Sequence, residues 1–232
     1  MQTAGSAGRQ ETKIRLLEVG IELMLERGYQ GTGIKEVLER VQVPKGSFYY
    51  YFDSKESFCE AALLYYEAQK TCESDQFLEN THYSPLNRLR KNLLHGIGKL
   101  EACNFEHGCL LGTLGQELAS QSPRLRVVLE GIYQRWIERH MACFESALAA
   151  GELPEKTHLP TLVSAYGMML QGALIQSKIT KNANAFNILH DLFFRQIGTP
   201  SQPLSPEEEA RFSIHAAVEE AGPEPPLAED LR

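Results

Sequence analysis

The stretch GYQGTGIKEVLERVQVPKGSFYYYFDSKESF, residues 28–58, decides the fold of this chain. Between Ile34 and Val41 its apolar residues recur at intervals of three and four, which predicts an amphipathic helix. Only three residues later, Pro44 suits the first turn of another, shorter helix. Two helices with so short a link have helix-turn-helix spacing, and a further amphipathic helix precedes them.

The short helix after Pro44 divides its five aromatic rings between two faces. Helical spacing brings Phe48 and Phe52 together with Tyr51 close by, so these rings are predicted to anchor the helix in a small core. The opposite face is predicted to carry small, polar and charged groups: Lys45, Gly46, Ser47, Tyr49 and Tyr50. Such a face suits the DNA major groove, which is about 12 Å wide. The alternative is an aromatic-rich core helix, because aromatic stripes are usually buried.

Each residue of the outer face has a chemistry that suits DNA. Lys45 can donate to a guanine edge or to phosphate, and Gly46 lets the backbone approach closely. The Ser47 hydroxyl can contact a base edge or phosphate. The Tyr49 and Tyr50 hydroxyls can hydrogen-bond phosphates, which sets position rather than sequence.

Two flanking helix starts are predicted to add phosphate contacts. Thr32, as a cap, and Gly33 open the second helix, whose first N–H groups suit a phosphate. Lys55 is predicted to contact phosphate at the start of the fourth helix. Asp53 and Glu56 have the spacing of a capping box for that helix.

The pattern of the whole chain predicts an all-α fold of about nine helices. Residues 9–58 are predicted to form an N-terminal three-helix, helix-turn-helix DNA-binding domain, and residues 59–200 a C-terminal helical domain. Residues 201–232 form an acidic, proline-rich tail. A short tenth helix is predicted over 206–221 in that tail, with Ser205 as cap, Glu208 at the box position and Gly222 as stop.

The charge distribution leaves DNA binding open despite a net charge of −7. The tail carries −6 of that charge, so the body is nearly neutral and a local basic face remains open to it. The five cysteines are an odd number in a chain without a secretory signal, which favours reduced thiols in the cytoplasm. No apolar run is long enough to span a membrane, so no membrane partner is expected.

Residues 28–58 resemble the DNA-binding segment of TetR-family transcriptional regulators, and the resemblance covers about residues 10–58. The matching pattern is an aromatic residue after a glycine, the Thr32 cap, an apolar helix, Lys-Gly-Ser before the aromatic run, and Ser-Lys-Glu. Pro44 replaces the more frequent serine of the family, and Tyr50 stands where the family often has histidine. Both departures bear on which DNA site is read.

The resemblance implies a homodimeric repressor that needs no cofactor and carries two reading heads. These would bind a palindromic operator on double-stranded DNA, with half-sites about 34 Å apart or somewhat more. The family usually pairs through the last two helices, here about 157–180 and 184–197. The apolar residues of these helices suit a dimer interface or a core equally well: Leu162, Tyr166, Met169, Leu170, Leu174, Phe186, Leu189, Leu192 and Phe193.

A second stretch, CNFEHGCLLGTLGQELA at residues 103–119, draws attention to one cysteine. Cys109 follows closely on His107 and stands where a helix is predicted to begin. A thiol at a helix N-terminus beside a histidine is favoured as thiolate, the form that reacts with electrophiles and oxidants. The alternative is a buried, inert cysteine packed among leucines.

This second stretch resembles a TetR-family subgroup whose members respond to electrophiles or to acrylate. A lysine on the penultimate helix accompanies the cysteine in that subgroup, and Lys178 matches it; the alternative for Lys178 is a solvated surface lysine. The resemblance implies that residues 59–200 bind a small-molecule inducer and dimerise. We expect a reactive electrophile or unsaturated acyl compound in a pocket around Cys109, Trp136, Tyr166 and Lys178, which releases the DNA.

Three other functions remain open from the sequence. Cys103, His107 and Cys109 have ligand spacing for zinc or copper in a metal-responsive repressor, with His95 or Cys143 to complete the site. A cysteine-dependent enzyme would use Cys109 as nucleophile and His107 as base, although residues two apart on a helix point away from each other. An interaction protein without DNA binding would need the reading face to have lost its role.

Overall fold

The computed structural model of the chain describes residues 4–212 and confirms the predicted all-α class. These residues form ten α-helices, one 3₁₀ turn and one π-helical turn, and contain no β-strand. The helices are α1 (Ala4–Gly31), α2 (Ile34–Val41), α3 (Phe48–Tyr51), α4 (Lys55–Leu78), α5 (Pro85–Ala102), α6 (Leu110–Leu118), α7 (Pro123–Ala149), α8 (Leu159–Thr180), α9 (Asn184–Asp191) and α10 (Pro206–Ala210). The 3₁₀ turn is Lys45–Ser47 and the π-helical turn is Leu192–Ile197.

The helix-turn-helix head consists of α1, α2, the 3₁₀ turn and α3. The predicted aromatic anchor of α3 is confirmed, because Phe48 and Phe52 are buried while Tyr51 packs partly exposed against the same core. The Phe48 ring centroid lies 5.4 Å from those of Phe52 and Phe58. This cluster holds the single turn of α3 in place, since a four-residue helix has too few backbone hydrogen bonds to be stable alone.

The predicted capping role of Thr32 is wrong. Gly33 is the N-cap of α2, and Thr32 is buried. Thr32 Oγ1 instead donates to the carbonyl of Gly28 at 2.8 Å. The helix is broken at Gly28, and the threonine hydroxyl donates a hydrogen bond to the carbonyl at that break.

The predicted capping box of Asp53 and Glu56 is also wrong by one residue. Ser54 is the N-cap of α4; its Oγ accepts from Ser57 N, and the Ser57 Oγ accepts from Ser54 N, both at 3.0 Å. The shift arises because Phe52 has an extended backbone that sends its ring into the core, so the chain turns into α4 one residue later.

The buried apolar residues form two cores, and α6 belongs to the first. The first core is formed by helices α1, α2, α3, α4 and α6 together with the first half of α7. The second core is formed by α5, the rest of α7, α8, α9 and the C-terminal segment. Leu110, Leu114 and Leu118 of α6 are spaced by four and are all buried in the first core. Helix α6 therefore lies beneath the helix-turn-helix head as part of its own packing.

The C-terminal segment, residues 199–212, is fastened by one buried carboxylate. Glu152 accepts from Leu86 N at 2.7 Å and from both the N and the Oγ of Ser201 at 2.6 Å. Burial disfavours ionisation of Glu152, but these hydrogen bonds outweigh it and lower its pKa. The segment is thereby tied to the start of α5.

Helix α10 lies within this segment. Ser205 and Glu208 form its capping box, and it ends at Ala210. Glu209 pairs with the buried Arg90, and Phe212 stacks on the buried His190 ring with centroids 3.7 Å apart. The continuation predicted to residue 221, with Gly222 as stop, lies outside the described residues.

Candidate functional site

The outer face of the helix-turn-helix head is exposed and carries the predicted reading residues. Tyr49 is 69% exposed and Tyr50 is 64% exposed, so neither ring belongs to the core. Lys45 and Gly46 are exposed and Ser47 is half-buried in the 3₁₀ turn. A side chain at Gly46 would meet no atom within 4 Å, so the glycine leaves open space in front of the backbone. Geometry and chemistry together suit a DNA groove.

Helix α1 contributes to this face through a residue that the sequence reasoning missed. Arg9 Nη1 donates to the Tyr50 hydroxyl at 2.8 Å, which fixes that phenol and adds positive charge beside it. One turn later, Lys13 lies over the Phe52 ring at 5.8 Å from its centroid. The sequence could have indicated this contribution, because the basic residues Arg9 and Lys13 are four positions apart and share one face of α1.

The two flanking positions have different environments. Gly33 is exposed at the start of α2 and has open space around its Cα. Lys55 is half-buried, with Nζ 4.4 Å from the centroid of the Tyr29 ring. Burial lowers the pKa of Lys55, and the neighbouring Glu117 carboxylate acts in the opposite direction. Lys55 thus lies between the DNA-facing surface and α6.

Cys109 is the N-cap residue of α6 and is half-buried. Gln171 Nε2, from α8, donates to its Sγ at 3.4 Å. A side chain at Gly112 would approach Gln171 Oε1 to 2.5 Å, so the glutamine lies directly over the first turn of α6. Burial, followed by the proximity of Cys109, raises the pKa of Tyr66, whose hydroxyl is bonded by the Leu110 backbone. Gln171 and Tyr66 are thiol neighbours that sequence spacing did not reveal.

The other predicted sensing residues belong to three parts of the chain: Trp136 lies on α7, Tyr166 and Lys178 on α8, and His107 just before α6. Tyr166 is buried in an aromatic stack, with its ring centroid 6.3 Å from that of Trp136. Lys178 Nζ donates to the carbonyl of Leu25 at 3.1 Å. Tyr166 and Lys178 are twelve positions apart on one helix, so their Cα atoms are separated by about 18 Å. His107 is half-buried two residues before Cys109.

The remaining cysteines differ from Cys109 in their surroundings. Burial raises the pKa of Cys59 and of Cys143 to about 12, so both remain protonated thiols near neutral pH. Cys143 lines a cleft of about 540 Å³ between α4, α5 and α7, which Arg88 and Arg139 also border. Cys72 is exposed on α4.

The alternative metal site is not formed. Across residues 4–212, no three His, Cys, Asp or Glu side chains lie close enough together to hold a metal ion. Cys103 Sγ donates to the carbonyl of Leu100 at 3.3 Å, and His95 packs against the Phe77 ring. Between Cys103 and His107 the chain turns through positive φ at Asn104 and Phe105.

The apolar side chains of α8 and α9 divide between the protomer core and the surface, and Met169, Leu170, Leu174 and Leu192 of the predicted set are half-buried. Leu162, Tyr166, Phe186, Leu189 and Phe193 all point into the protomer core. The exposed apolar side chains of these two helices are Met168, Ile175, Ile179 and Ile188. Three of them share one face of α8, at intervals of seven and four.

None of the described helices is long and apolar enough to cross a membrane.

The comparisons with known proteins agree with the fold and with its helix-turn-helix head. The family model "Bacterial regulatory proteins, tetR family" matches residues 16–62, and "Tetracyclin repressor-like, C-terminal domain" matches residues 85–193. Transcriptional regulator AcuR of Cereibacter sphaeroides is 31% identical over 187 residues, which cover 81% of this chain and 85% of AcuR. The HTH-type transcriptional repressor DhaR of Mycobacterium sp. strain GP1 is 28% identical over 201 residues, covering 86% of this chain and 98% of DhaR.

A solved structure agrees over nearly the same span. The crystal structure of E. coli NemR in its reduced form superposes with a TM-score of 0.73 and 25% sequence identity, over 83% of this chain and all of that one. Such relatives are DNA-binding regulators, not enzymes. The chain therefore belongs to the TetR family of transcriptional regulators.

Proposed function

We propose that this regulator is a homodimeric repressor in the cytoplasm, which binds a palindromic operator and leaves it when a small unsaturated acyl compound reacts with Cys109. The main support for regulation through Cys109 is that α6 contacts both the thiol and the DNA-reading head. Its first residue borders the half-buried thiol, and its three leucines lie in the core of the helix-turn-helix head. The relative DhaR, a repressor, supports repression as the mode.

The proposed reaction is addition of the Cys109 thiol across a carbon–carbon double bond conjugated to a carbonyl. The sulfur forms a bond to the β-carbon, the π bond breaks, and the α-carbon takes up a proton in place of the one the thiol loses. The product is a thioether, and no oxidant or reductant is needed. The Gln171 amide donates a hydrogen bond to the Cys109 sulfur and so holds it at the start of α6.

Release of DNA requires that the adduct fit one state of the protein better than the other. A new group on Cys109 competes for space with Gln171, which lies over the first turn of α6. Displacing either group shifts α6, and α6 is packed against the reading head. The adduct therefore favours a state in which the two heads no longer match the operator.

The test is a gel shift on an operator selected from random DNA, with and without methyl acrylate. We expect the wild type to be released and Cys109→Ser to remain bound, whereas Cys72→Ser serves as the matched control and behaves like the wild type. Mass spectrometry counts adducts on each variant. Release of Cys109→Ser at the wild-type concentration of methyl acrylate would refute the cysteine mechanism.

The DNA-binding role of the reading face has its own test. Replacing Lys45 by alanine should weaken operator binding and lower the slope of log affinity against log salt by about one per head. Lys156→Ala, on an exposed loop, is the matched control. An unchanged salt slope in the Lys45 variant would remove that lysine from the interface.

The dimer proposal rests on the exposed apolar face of α8 and α9. Ile179, which is 75% exposed in the protomer, is expected to be covered by the second copy. Replacing it by glutamate should shift the sedimentation of the protein towards the monomer, while glutamate at Val127 on α7, a β-branched apolar residue that is 59% exposed, should not. A dimer that withstands the Ile179 change would place the interface elsewhere.

A further inference from the structure

Helix α1 is broken at Gly28, just before the helix-turn-helix head. Gly28 has φ 74° and ψ −177°, a backbone conformation that residues with a side chain rarely adopt. In an unbroken helix the Tyr29 N–H would donate to the Leu25 carbonyl four residues earlier. The break separates this donor and this acceptor, and each finds a partner in a different part of the chain.

The donor side is bound by a carboxylate from α6. Glu117 Oε2 accepts from Tyr29 N and Oε1 accepts from Gln30 N, both at 2.7 Å. Two hydrogen bonds from successive backbone N–H groups to one carboxylate are strong and fix direction as well as distance. A side chain at Gly28 would approach Glu117 Oε2 to 2.5 Å, so the carboxylate fills the space beside the break.

The acceptor side is bound by an ammonium group from α8. Lys178 Nζ donates to the Leu25 carbonyl at 3.1 Å. Sequence similarity placed this lysine with the sensing thiol, but the structure places its charged end on α1. A cation at a carbonyl that has lost its helical partner is the favourable arrangement at a helix C-terminus.

Cys109 and Glu117 stand at opposite ends of α6. Eight positions on a helix separate their Cα atoms by about 12 Å. Between them Leu110 and Leu114 lie in the core of the reading head. A rigid helix of this length carries a displacement at one end to the other, so the carboxylate moves when the thiol end moves.

We propose that Glu117 and Lys178 form a clasp that holds the break in α1 in its DNA-reading geometry, and that capture of an inducer at Cys109 opens the clasp through α6. This inference rests on the proposed function. Both are assigned as positioning residues, because their charged groups bond backbone atoms of α1. When Glu117 withdraws, Tyr29 N–H and the Leu25 carbonyl are free to pair, and the chain entering α2 changes direction.

The variants that test the clasp remove its charges and keep its bulk. They are Glu117→Gln and Lys178→Met, and the matched controls are Glu130→Gln on α7 and Lys156→Met on an exposed loop. We measure operator affinity without inducer, the factor by which methyl acrylate weakens it, and the rate of adduct formation at Cys109. Hydrogen exchange of the segment containing Tyr29 is followed in parallel.

Each clasp variant should bind the operator about tenfold more weakly without inducer, in the range of known coupling factors. The factor by which methyl acrylate weakens operator binding should fall towards one, and adduct formation at Cys109 should keep its wild-type rate. Hydrogen exchange in the segment containing Tyr29 should become faster. The controls should match the wild type in all four readouts. Wild-type affinity and release factor in both variants would overturn the proposal.

Weaker operator binding with an unchanged release factor would also overturn it, because the clasp would then only support the fold. If Glu117→Gln does not fold, Lys178→Met decides alone. If methyl acrylate fails to release the wild type, the proposed inducer chemistry is refuted. The clasp is then judged by operator affinity without inducer and by exchange at Tyr29, so the two failures are distinguishable.

Discussion

Replacing Gly28 by alanine is the sharpest test of the break in α1. The conformation at φ 74° and ψ −177° costs a residue with a Cβ about 1–3 kcal/mol. The new Cβ would lie 2.5 Å from Glu117 Oε2, so the carboxylate must withdraw from its two N–H donors. Glu117 is half-exposed and water partly replaces those bonds, so their loss adds about 1–2 kcal/mol. The lower entropy of the unfolded alanine variant returns about 0.5 kcal/mol, so the net loss is about 1.5–4.5 kcal/mol.

The assay is urea unfolding followed by circular dichroism, at one protein concentration because a dimer's stability depends on it. The matched control is Gly96→Ala inside α5, where the new Cβ meets no atom within 4 Å. That change should stabilise the protein by about 0.5–1 kcal/mol, because alanine is the better helix former. The two substitutions are chemically identical and are expected to have opposite signs. A Gly28→Ala protein as stable as the wild type would refute the reasoning.

Three further predictions concern the C-terminal body. Gly167→Ala should destabilise it by about 1–3 kcal/mol and shift the emission of Trp136, because the new Cβ would lie 2.9 Å from that ring; unchanged emission and stability would contradict this. Burial lowers the pKa of His140 to about 4 and of His190 to about 3, so both are neutral when folded. Unfolded histidines titrate near pH 6.5. The free energy of unfolding should therefore be constant above about pH 6.5 and fall by about 1 kcal/mol or more per histidine by pH 5. A urea midpoint that stays constant from pH 7 to 5 would contradict this prediction. Glu152→Gln should cost about 1.5–3 kcal/mol in thermal or urea melts, since it weakens a charged acceptor of three donors, and an unchanged melt would show that the C-terminal segment is held by other contacts.

The reading face was predictable because its information is local. Phe48 and Phe52 are four residues apart, and helical periodicity alone separates them from Tyr49 and Tyr50. The structure confirms this division through their burial. The predicted N-cap of α4 was wrong by only one residue, because the cap is Ser54 rather than Asp53.

The surroundings of α6 and α8 were not predictable, because the contacts of these helices join distant parts of the chain. Glu117 meets Tyr29 across 88 positions, and Lys178 meets Leu25 across 153. Nothing in the pattern around Lys178 distinguishes a lysine that binds a thiol from one that binds a carbonyl. Helix α8 is apolar on most of its surface, so composition did not reveal that Ile179 faces outwards.

The sharing of one core between the reading head and α6 limits how such regulators can be recombined. A chimera joined near residue 58 would separate Leu110, Leu114 and Leu118 from the head whose interior they complete. The transplanted head would then expose an apolar surface, and its new partner would offer side chains of the wrong shape. DNA specificity in this protein is therefore better changed by substituting exposed side chains of the reading head. A chimera should keep α6 and the reading head from the same protein.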